Sequence, residues 1–273
     1  MKTRIFIASI TLFVLSSCAS PKQLNSEVEE VIRLNLGITK VYLLPCTDGY
    51  LLIDTGYDKD YKKFLKALKK RHIDIKNIKY LLLTHYHDDH VGFAQQLKDT
   101  YHIPLVVQRR SIEFLKKGDS GNTESDYPLN KRVKFVMAIF MLAHKNFEFP
   151  AVTVTDEDII IDEDDDQFLR SIGINGKILY TPGHSSDHMV VVLDNGSVFC
   201  GDAAMNFLRF TGIKHRPIFV NDRQAVYRSW EKILANGAQY IYPAHGNPFP
   251  AKNLADNLKQ FIEKGEYLKN NPE

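Results

Sequence analysis

Cysteine is scarce in this chain. Only Cys18, Cys46 and Cys200 occur among 273 residues. So few thiols, so far apart, form no disulfide framework, and two buried thiols at 46 and 200 are expected rather than a bridge. Net charge is nearly absent too, with 35 Lys and Arg against 33 Asp and Glu. Residues 1–17 hold Lys2 and Arg4 but no acid, so the remainder is balanced at 33 of each sign. Recognition of nucleic acid normally requires a basic face, and no such partner is expected. No apolar run reaches the length of a bilayer span: Ile5 to Leu15 is too short, and Val133 to Ala143 is short and interrupted by Lys134. No internal repeat or interdomain linker is evident. What is present, 44% hydrophobic and 25% charged residues, suits an ordinary globular protein with a sizeable core.

The first residues stand apart from that core. Lys2 and Arg4 precede the apolar run Ile5 to Leu15, which closes in Leu15-Ser16-Ser17-Cys18, the pattern of a secretory signal peptide. The ending resembles the bacterial lipobox, which implies cleavage before Cys18, acylation of that cysteine and a lipid-anchored protein of the cell envelope. Ala19 and Ser20 lack the aspartate that retains some lipoproteins at the inner membrane. An ordinary signal cut near Ala19 is the alternative. Residues 1–17 are thus read as a leader, 18–27 as anchor and tether, and 28–268 as the folded domain.

Within the domain, Thr84-His85-Tyr86-His87-Asp88-Asp89-His90-Val91-Gly92 follows the apolar run Ile78 to Leu83. Three histidines and two aspartates in six positions are all of types that bind first-row divalent metals. Residues two apart on a helix point to nearly opposite sides, so His85 and His87 grip one ion only from a loop. A strand ending in a ligand loop that opens a helix, here about Gly92 to Tyr101, suits an α/β protein whose site gathers at strand carboxyl ends.

Other runs repeat that grammar. Val41 to Leu44 and Tyr50 to Ile53 flank an Asp48-Gly49 turn, a hairpin signal, and the second run ends in Asp54. Tyr61 to His72 has apolar residues at helical spacing. Leu105 to Gln108 is a further strand. Lys177 to Tyr180 leads into Thr181-Pro182-Gly183-His184. Met189 to Leu193 and Ser197 to Cys200 form a second hairpin closing on Gly201-Asp202, and Gln239 to Tyr242 ends in Pro243-Ala244-His245-Gly246. Helices are expected over Arg223 to Asn236, capped by Asp222 and stopped by Gly237, and over Lys252 to Lys264. Val152 to Ile174 alternates β-prone runs with the acidic stretch Asp162 to Asp166, which reads as a solvated turn. Ala203 to Asn221 is irregular. Arg109 to Pro150 breaks the pattern and contains an apolar helix, Lys131 to Lys145. That helix is read as packed on the core, with a lid over a substrate cleft, shaped by Phe140 and Met141, or a face leaning on a membrane as alternatives.

Five strand ends therefore carry Asp54, the His85 to His90 cluster, His184, Asp202 and His245, a donor set of N and O without thiolate. His72, His102 and His144 read as surface residues, His188 and His215 as possible neighbours of the site, and Cys200 as a packed strand residue. Here the sequence resembles the metallo-β-lactamase superfamily from about Val41 to Lys264, with its five motifs in order. The resemblance implies a four-layer αββα sandwich, an α/β (α+β) fold, with two divalent ions at the edge between the sheets. His85, His87 and His184 would hold the first ion, Asp89, His90 and His245 the second, with Asp202 bridging. Asp54 would orient ligands or a bridging water, and Asp89 would orient the hydroxide or relay its proton, so Asp54 and Asp89 are the catalytic candidates. Zinc is favoured by donor type, with iron or manganese compatible.

Two ions roughly 3.5–4 Å apart bring a bridging water towards ionisation at neutral pH. Aspartate rather than cysteine at 202 disfavours some true β-lactamases and resembles glyoxalase II, lactonase and phosphodiesterase relatives. The short stretch after Lys264 leads us to expect none of the glutathione-binding helices of glyoxalase II, and neither a flavodoxin domain nor an RNA-binding module is expected. The expected activity is hydrolysis of a small ester, lactone or thioester, with β-lactam or phosphodiester hydrolysis as alternatives. A non-catalytic metal-binding lipoprotein is the rival from another class. Oligomeric state is not readable.

Overall fold

The computed structural model of the protein describes residues 31–120, 127–140, 142 and 147–268. The expected leader, anchor and tether, His144 and Met141 lie outside the described residues. No helix of the described residues is long and apolar enough to cross a membrane.

Alternation along the strands sets the layers. A six-stranded sheet contains β1 (Ile32–Asn35), β2 (Lys40–Cys46), β3 (Gly49–Ile53), β4 (Ile78–Leu82), β5 (Leu105–Gln108) and β7 (Ile159–Ile161). The first three pair antiparallel and the rest parallel. On β2 to β5, Val41, Leu43, Leu52, Leu81, Leu105 and Val107 point outward to α1 (Tyr61–Lys70), α3 (Ala94–Tyr101) and α4 (Ile112–Lys117). Their neighbours Tyr42, Leu44, Leu51, Ile53, Leu82 and Val106 point inward. That period of two is the geometry of a pleated strand.

A second sheet repeats the device. It runs β13 (Phe249–Pro250), β12 (Tyr240–Tyr242), β10 (Ser197–Phe199), β9 (Met189–Leu193) and β8 (Gly176–Tyr180). Met189, Val191, Ile178 and Phe199 meet the first sheet's inner face, with Leu169 of α6 (Phe168–Ser171) closing the gap. Val190, Val192 and Val198 face α5 (Lys131–Phe140), α7 (Arg223–Ala235) and α8 (Lys252–Glu263), which bury Val133, Met137, Trp230, Ile233, Leu254 and Phe261. The layers are helix, sheet, sheet, helix. Burying each such side chain contributes about 1.5–3 kcal/mol, so the three apolar layers, not the surface ion pairs, hold the sandwich together.

Local signals place the ends. Asp222 caps α7 by accepting from Ala225 N at 3.0 Å, and Gly237 follows its end at φ 82°. The β2–β3 hairpin pairs Cys46 with Gly49 across Thr47-Asp48. Several expectations need correction. Only His85 to His87 of the ligand motif is irregular, because Asp88–Val91 closes a helical turn, α2, through His90 N and Val91 N bonding His87 O, and the next helix starts at Ala94. Val152 to Ile174 yields one strand, β7, and the turn α6, since Asp165 caps Phe168 N at 2.7 Å. The segment read as irregular before Asn221 ends in β11 (Phe219–Val220), paired with β6 (Tyr127–Pro128) from the insertion.

Candidate metal centre

All seven proposed ligands arrive at one edge of the two sheets. His85 and His87 follow β4, Asp89 and His90 sit on α2, His184 follows β8, Asp202 follows β10 and His245 follows β12. Every one is buried except His87, which keeps part of its surface open. The acceptor atoms form three overlapping groups: His85, His87 and His184; His85, His90 and Asp202; Asp89, His90 and His245. Asp202 links them. Its Oδ2 lies 3.6 Å from His184 Nε2, while Oδ1 lies 3.5 Å from His90 Nε2 and 3.3 Å from His245 Nε2.

Hydrogen-bond chemistry fixes which ring nitrogens carry protons. Phe219 O can only accept, so His184 Nδ1 donates to it at 2.9 Å and Nε2 presents a lone pair. Thr84 has one hydroxyl proton, which goes to Asp54 Oδ2 at 2.8 Å, so Thr84 Oγ1 accepts from His85 Nδ1 at 3.1 Å. His90 Nδ1 donates to Asp54 Oδ2 at 2.8 Å, and His245 Nδ1 to Ile38 O at 3.3 Å. In the tautomers these bonds set, the inward nitrogens of His184 and His85 are lone pairs facing each other. His184 Nε2 stands 3.1 Å from His85 Nε2 and 3.0 Å from His87 Nδ1. His90 Nε2 and Asp202 Oδ1 are buried with no hydrogen-bond partner. Acceptors packed against acceptors at these distances repel unless a cation sits among them, so the residues fit two divalent ions.

The electrostatics divides the rings into two sets. Burial and the neighbouring rings His184 and His90 push His87 down to about 3, and His85 falls well below its ordinary range by burial and His90. Both present neutral ligand nitrogens, as metal binding requires. Burial raises the Asp89 and Asp202 carboxyls, but His90 and His245 outweigh it and hold both well below the usual range. Burial lowers His90 and His245, yet Asp89, Asp54 and Asp202 carry His90 up to about 9, and Asp202 and Asp89 hold His245 well above its ordinary range, so without a metal each binds a second proton at Nε2 that a metal ion would displace.

Asp54 sits beneath the cluster at φ 60°. Its Oδ1 accepts Thr84 N at 2.7 Å and its Oδ2 takes the Thr84 hydroxyl and His90. Of the two roles expected for it, the bonds it makes are those of a residue that orients ligands. Asp89 Oδ2 accepts Thr39 Oγ1 at 2.9 Å and faces His245 Nε2 at 3.1 Å. Glycine is required twice here. A Cβ on Gly201, at φ 46°, would lie 2.5 Å from Thr84 Oγ1, and one on Gly183, at φ 138°, would lie 2.4 Å from Val226 N.

His188 is buried behind the site. Its Nε2 accepts Asp202 N at 3.1 Å, so Nδ1 carries the proton beside Thr181 Oγ1 at 3.1 Å. His215 stacks on Phe249 and bonds Met205 O, apart from the ligand groups. Cys200 packs with its thiol toward Ala204 O at 3.4 Å, while Cys46 is only half-buried; His72 and His102 lie on the surface. Thr39, the Phe219 carbonyl and the His188 to Asp202 contact escaped the sequence reading. Thr84 lay inside the motif without being singled out.

Two ligand groups sharing one carboxylate at the edge of a helix–sheet–sheet–helix sandwich define a candidate dinuclear metalloprotein. Residues 34–245 match the family model of the Metallo-beta-lactamase superfamily, and the chain belongs to that superfamily. Among curated proteins it is similar to the Drosophila melanogaster Beta-lactamase-like protein 2 homolog, 29% identical over 77% of this chain and 59% of that protein. It is also similar to the Aspergillus fumigatus Atrochrysone carboxyl ACP thioesterase, 23% identical over 85% of this chain and 58% of that protein. The chain thus spans somewhat under three fifths of each of these two relatives. Among solved structures, the archaeal metallo-beta-lactamase superfamily protein ST1585 from Sulfolobus tokodaii superposes with TM-score 0.55 at 20% identity, covering 85% of this chain and 86% of that one.

Proposed function

We propose that the protein is a dinuclear metal-dependent hydrolase of small esters, lactones or thioesters. The observation that carries this reading is the convergence of His85, His87 and His184 nitrogens at 3.0–3.1 Å with a second group joined to it through Asp202. Two divalent ions, zinc by donor type with iron or manganese compatible, would supply a hydroxide nucleophile at neutral pH and Lewis acidity toward a carbonyl oxygen. The chain's own part is to hold and orient. Asp54 keeps His90 and, through Thr84, His85 in the tautomers that aim lone pairs inward. Thr39 and His245 engage Asp89 Oδ2, and Asp89 Oδ1, 3.7 Å from His90 Nε2, is the oxygen to take a proton and return it to the leaving group.

The choice of carbonyl substrate rests on two supports. Phe207, whose ring lies 6.2 Å from that of His245, and Ile38, 40% exposed on the segment whose carbonyl holds His245, put apolar residues close to the centre, which suits an uncharged carbonyl compound. The Aspergillus relative is named a thioesterase. The Leu15-Ser16-Ser17-Cys18 ending supports a further part of this proposal, a chain held at the bacterial cell envelope by lipid on Cys18.

Zinc-loaded protein tested on lactone, thioester, phosphodiester and β-lactam substrates should show its highest kcat/KM on the first two. Preference for a phosphodiester or β-lactam would replace the substrate class. Absence of turnover on all four with two ions bound would favour the non-catalytic metal-binding reading.

A further inference from the structure

Four of the large apolar side chains exposed among the described residues lie in two adjoining segments. Phe135 is 69% exposed and Ile139 55%, at the i, i+4 spacing of one face of α5, while Leu142, in the turn just past the helix, is 80% exposed and Phe210 72%. The opposite side of α5 buries Val133 and Met137 on the second sheet, and half-buried Phe140 packs there too. Phe140 therefore belongs to the core layer, and the outward face belongs to its neighbours. Asn130 Nδ2, bonded to Thr211 O at 3.3 Å, holds the 3-10 turn Arg209–Thr211, and with it Phe210, beside the start of α5.

The rim is basic. Lys131, Arg132, Lys134 and Arg209 are exposed, and α5 contains no acid. That charge discriminates among occupants. A symmetric pair of chains joined by this face would bring one basic rim against the other with no acid on α5 to offset it, which repels. An anionic bilayer answers both chemistries at once, with acyl chains for the phenylalanines and leucine and headgroup phosphates for the cations.

We propose that α5 and the Arg209–Thr211 turn form a docking face for an anionic phospholipid bilayer, with Phe135, Ile139, Leu142 and Phe210 entering the interface. The face is independent of the substrate, and it acts in addition to any lipid on Cys18. The twelve residues between Cys18 and Val31 span at most about 45 Å, which leaves the face within reach of the bilayer that would hold the anchor.

The test uses protein beginning at Ser20, which carries neither leader nor acyl group and keeps every buried apolar residue of the described core, Leu34 to Phe261. It is sedimented with vesicles of phosphatidylcholine alone and of phosphatidylcholine with phosphatidylglycerol. Binding to the mixed vesicles is expected, weakened by salt. The variant Phe135→Ser, Ile139→Ser, Leu142→Ser should lose more than about tenfold in affinity. A second arm that leaves the apolar residues in place, Lys131→Gln, Arg132→Gln, Lys134→Gln, is expected to lose roughly a hundredfold on the mixed vesicles. Both should keep wild-type metal content. No vesicle binding by the parent protein, or binding unchanged in the charge variant, overturns the proposal. So does a dimer in solution that both variants dissolve, which would make a second copy the occupant.

Discussion

Replacing Asp54 by Asn tests how the centre is built. Asn tolerates the left-handed backbone at φ 60° as well as Asp does, so the swap changes hydrogen bonding and little else. Asp54 accepts three donors: Thr84 N at 2.7 Å, Thr84 Oγ1 at 2.8 Å and His90 Nδ1 at 2.8 Å. An amide offers one acceptor oxygen. If that oxygen keeps Thr84 Oγ1 and His90, the new NH2 confronts Thr84 N–H. If the amide turns over, it confronts His90 Nδ1–H, and His90 must move its proton to Nε2 and give up its inward lone pair. Either way a buried donor loses its acceptor, at a cost of about 1–3 kcal/mol. Partners of this kind typically alter metal affinity 10–100-fold, or about 1.4–2.7 kcal/mol, and that is the loss expected here. The loss should fall mainly on the group of Asp89, His90 and His245. Competition of the metal-loaded protein against a chromophoric chelator resolves the two affinities. Wild-type affinity at both groups in Asp54→Asn would refute the argument that Asp54 sets the tautomers.

Other consequences can be checked with equal directness. Asp187 is fully buried with Oδ2 unpartnered, and burial pushes its carboxyl up to about 7 despite the Ser185 hydroxyl on Oδ1 at 2.6 Å. The folded chain then binds a proton that the unfolded chain releases near its ordinary value, so this group subtracts stability as pH rises from about 4 to 7. In chelator-stripped protein, Asp187→Asn should therefore gain Tm relative to wild type between pH 5 and pH 8, and a pH-independent difference would contradict it. Gly201→Ala should displace Thr84 and lower metal affinity, because its Cβ would lie 2.5 Å from Thr84 Oγ1; unchanged metal binding would show that Thr84 does not matter. Cys18→Ser should abolish acylation and shift the full-length chain's processing, read by mass and by membrane fractionation, and a lipid-free wild-type protein would end the lipobox reading.

The convergence of the candidate ligands was legible because each sits at or just after the stop of a β-prone run, and histidine and aspartate at such stops have few structural reasons to recur. The same alternation that revealed Val41 to Leu44 and Met189 to Leu193 as strands also divides their side chains between inner and outer layers. What stayed hidden is of two kinds. Main-chain groups leave no mark in a sequence, so the Phe219 carbonyl that fixes His184 could not be read, nor could the Asp202 N–H held by His188. Long-range partners chosen by packing are equally silent: Thr39 meets Asp89 across fifty positions of chain. The pairing of β6 with β11 also joins two segments that each read as irregular alone, since two-residue strands carry too few positions to show a period.

The central claim, two ions held by seven side chains with Asp202 shared, is tested most directly by metal analysis of the protein purified without chelator. Wild type should carry about two divalent ions per chain, because the outer groups, His85, His87 and His184 and Asp89, His90 and His245, share no residue and Asp202 lies between them. Asp202→Ala, folded by circular dichroism, should carry fewer and lose activity in parallel. One ion in fully loaded wild type, with Asp202→Ala indistinguishable from it, would contradict the account.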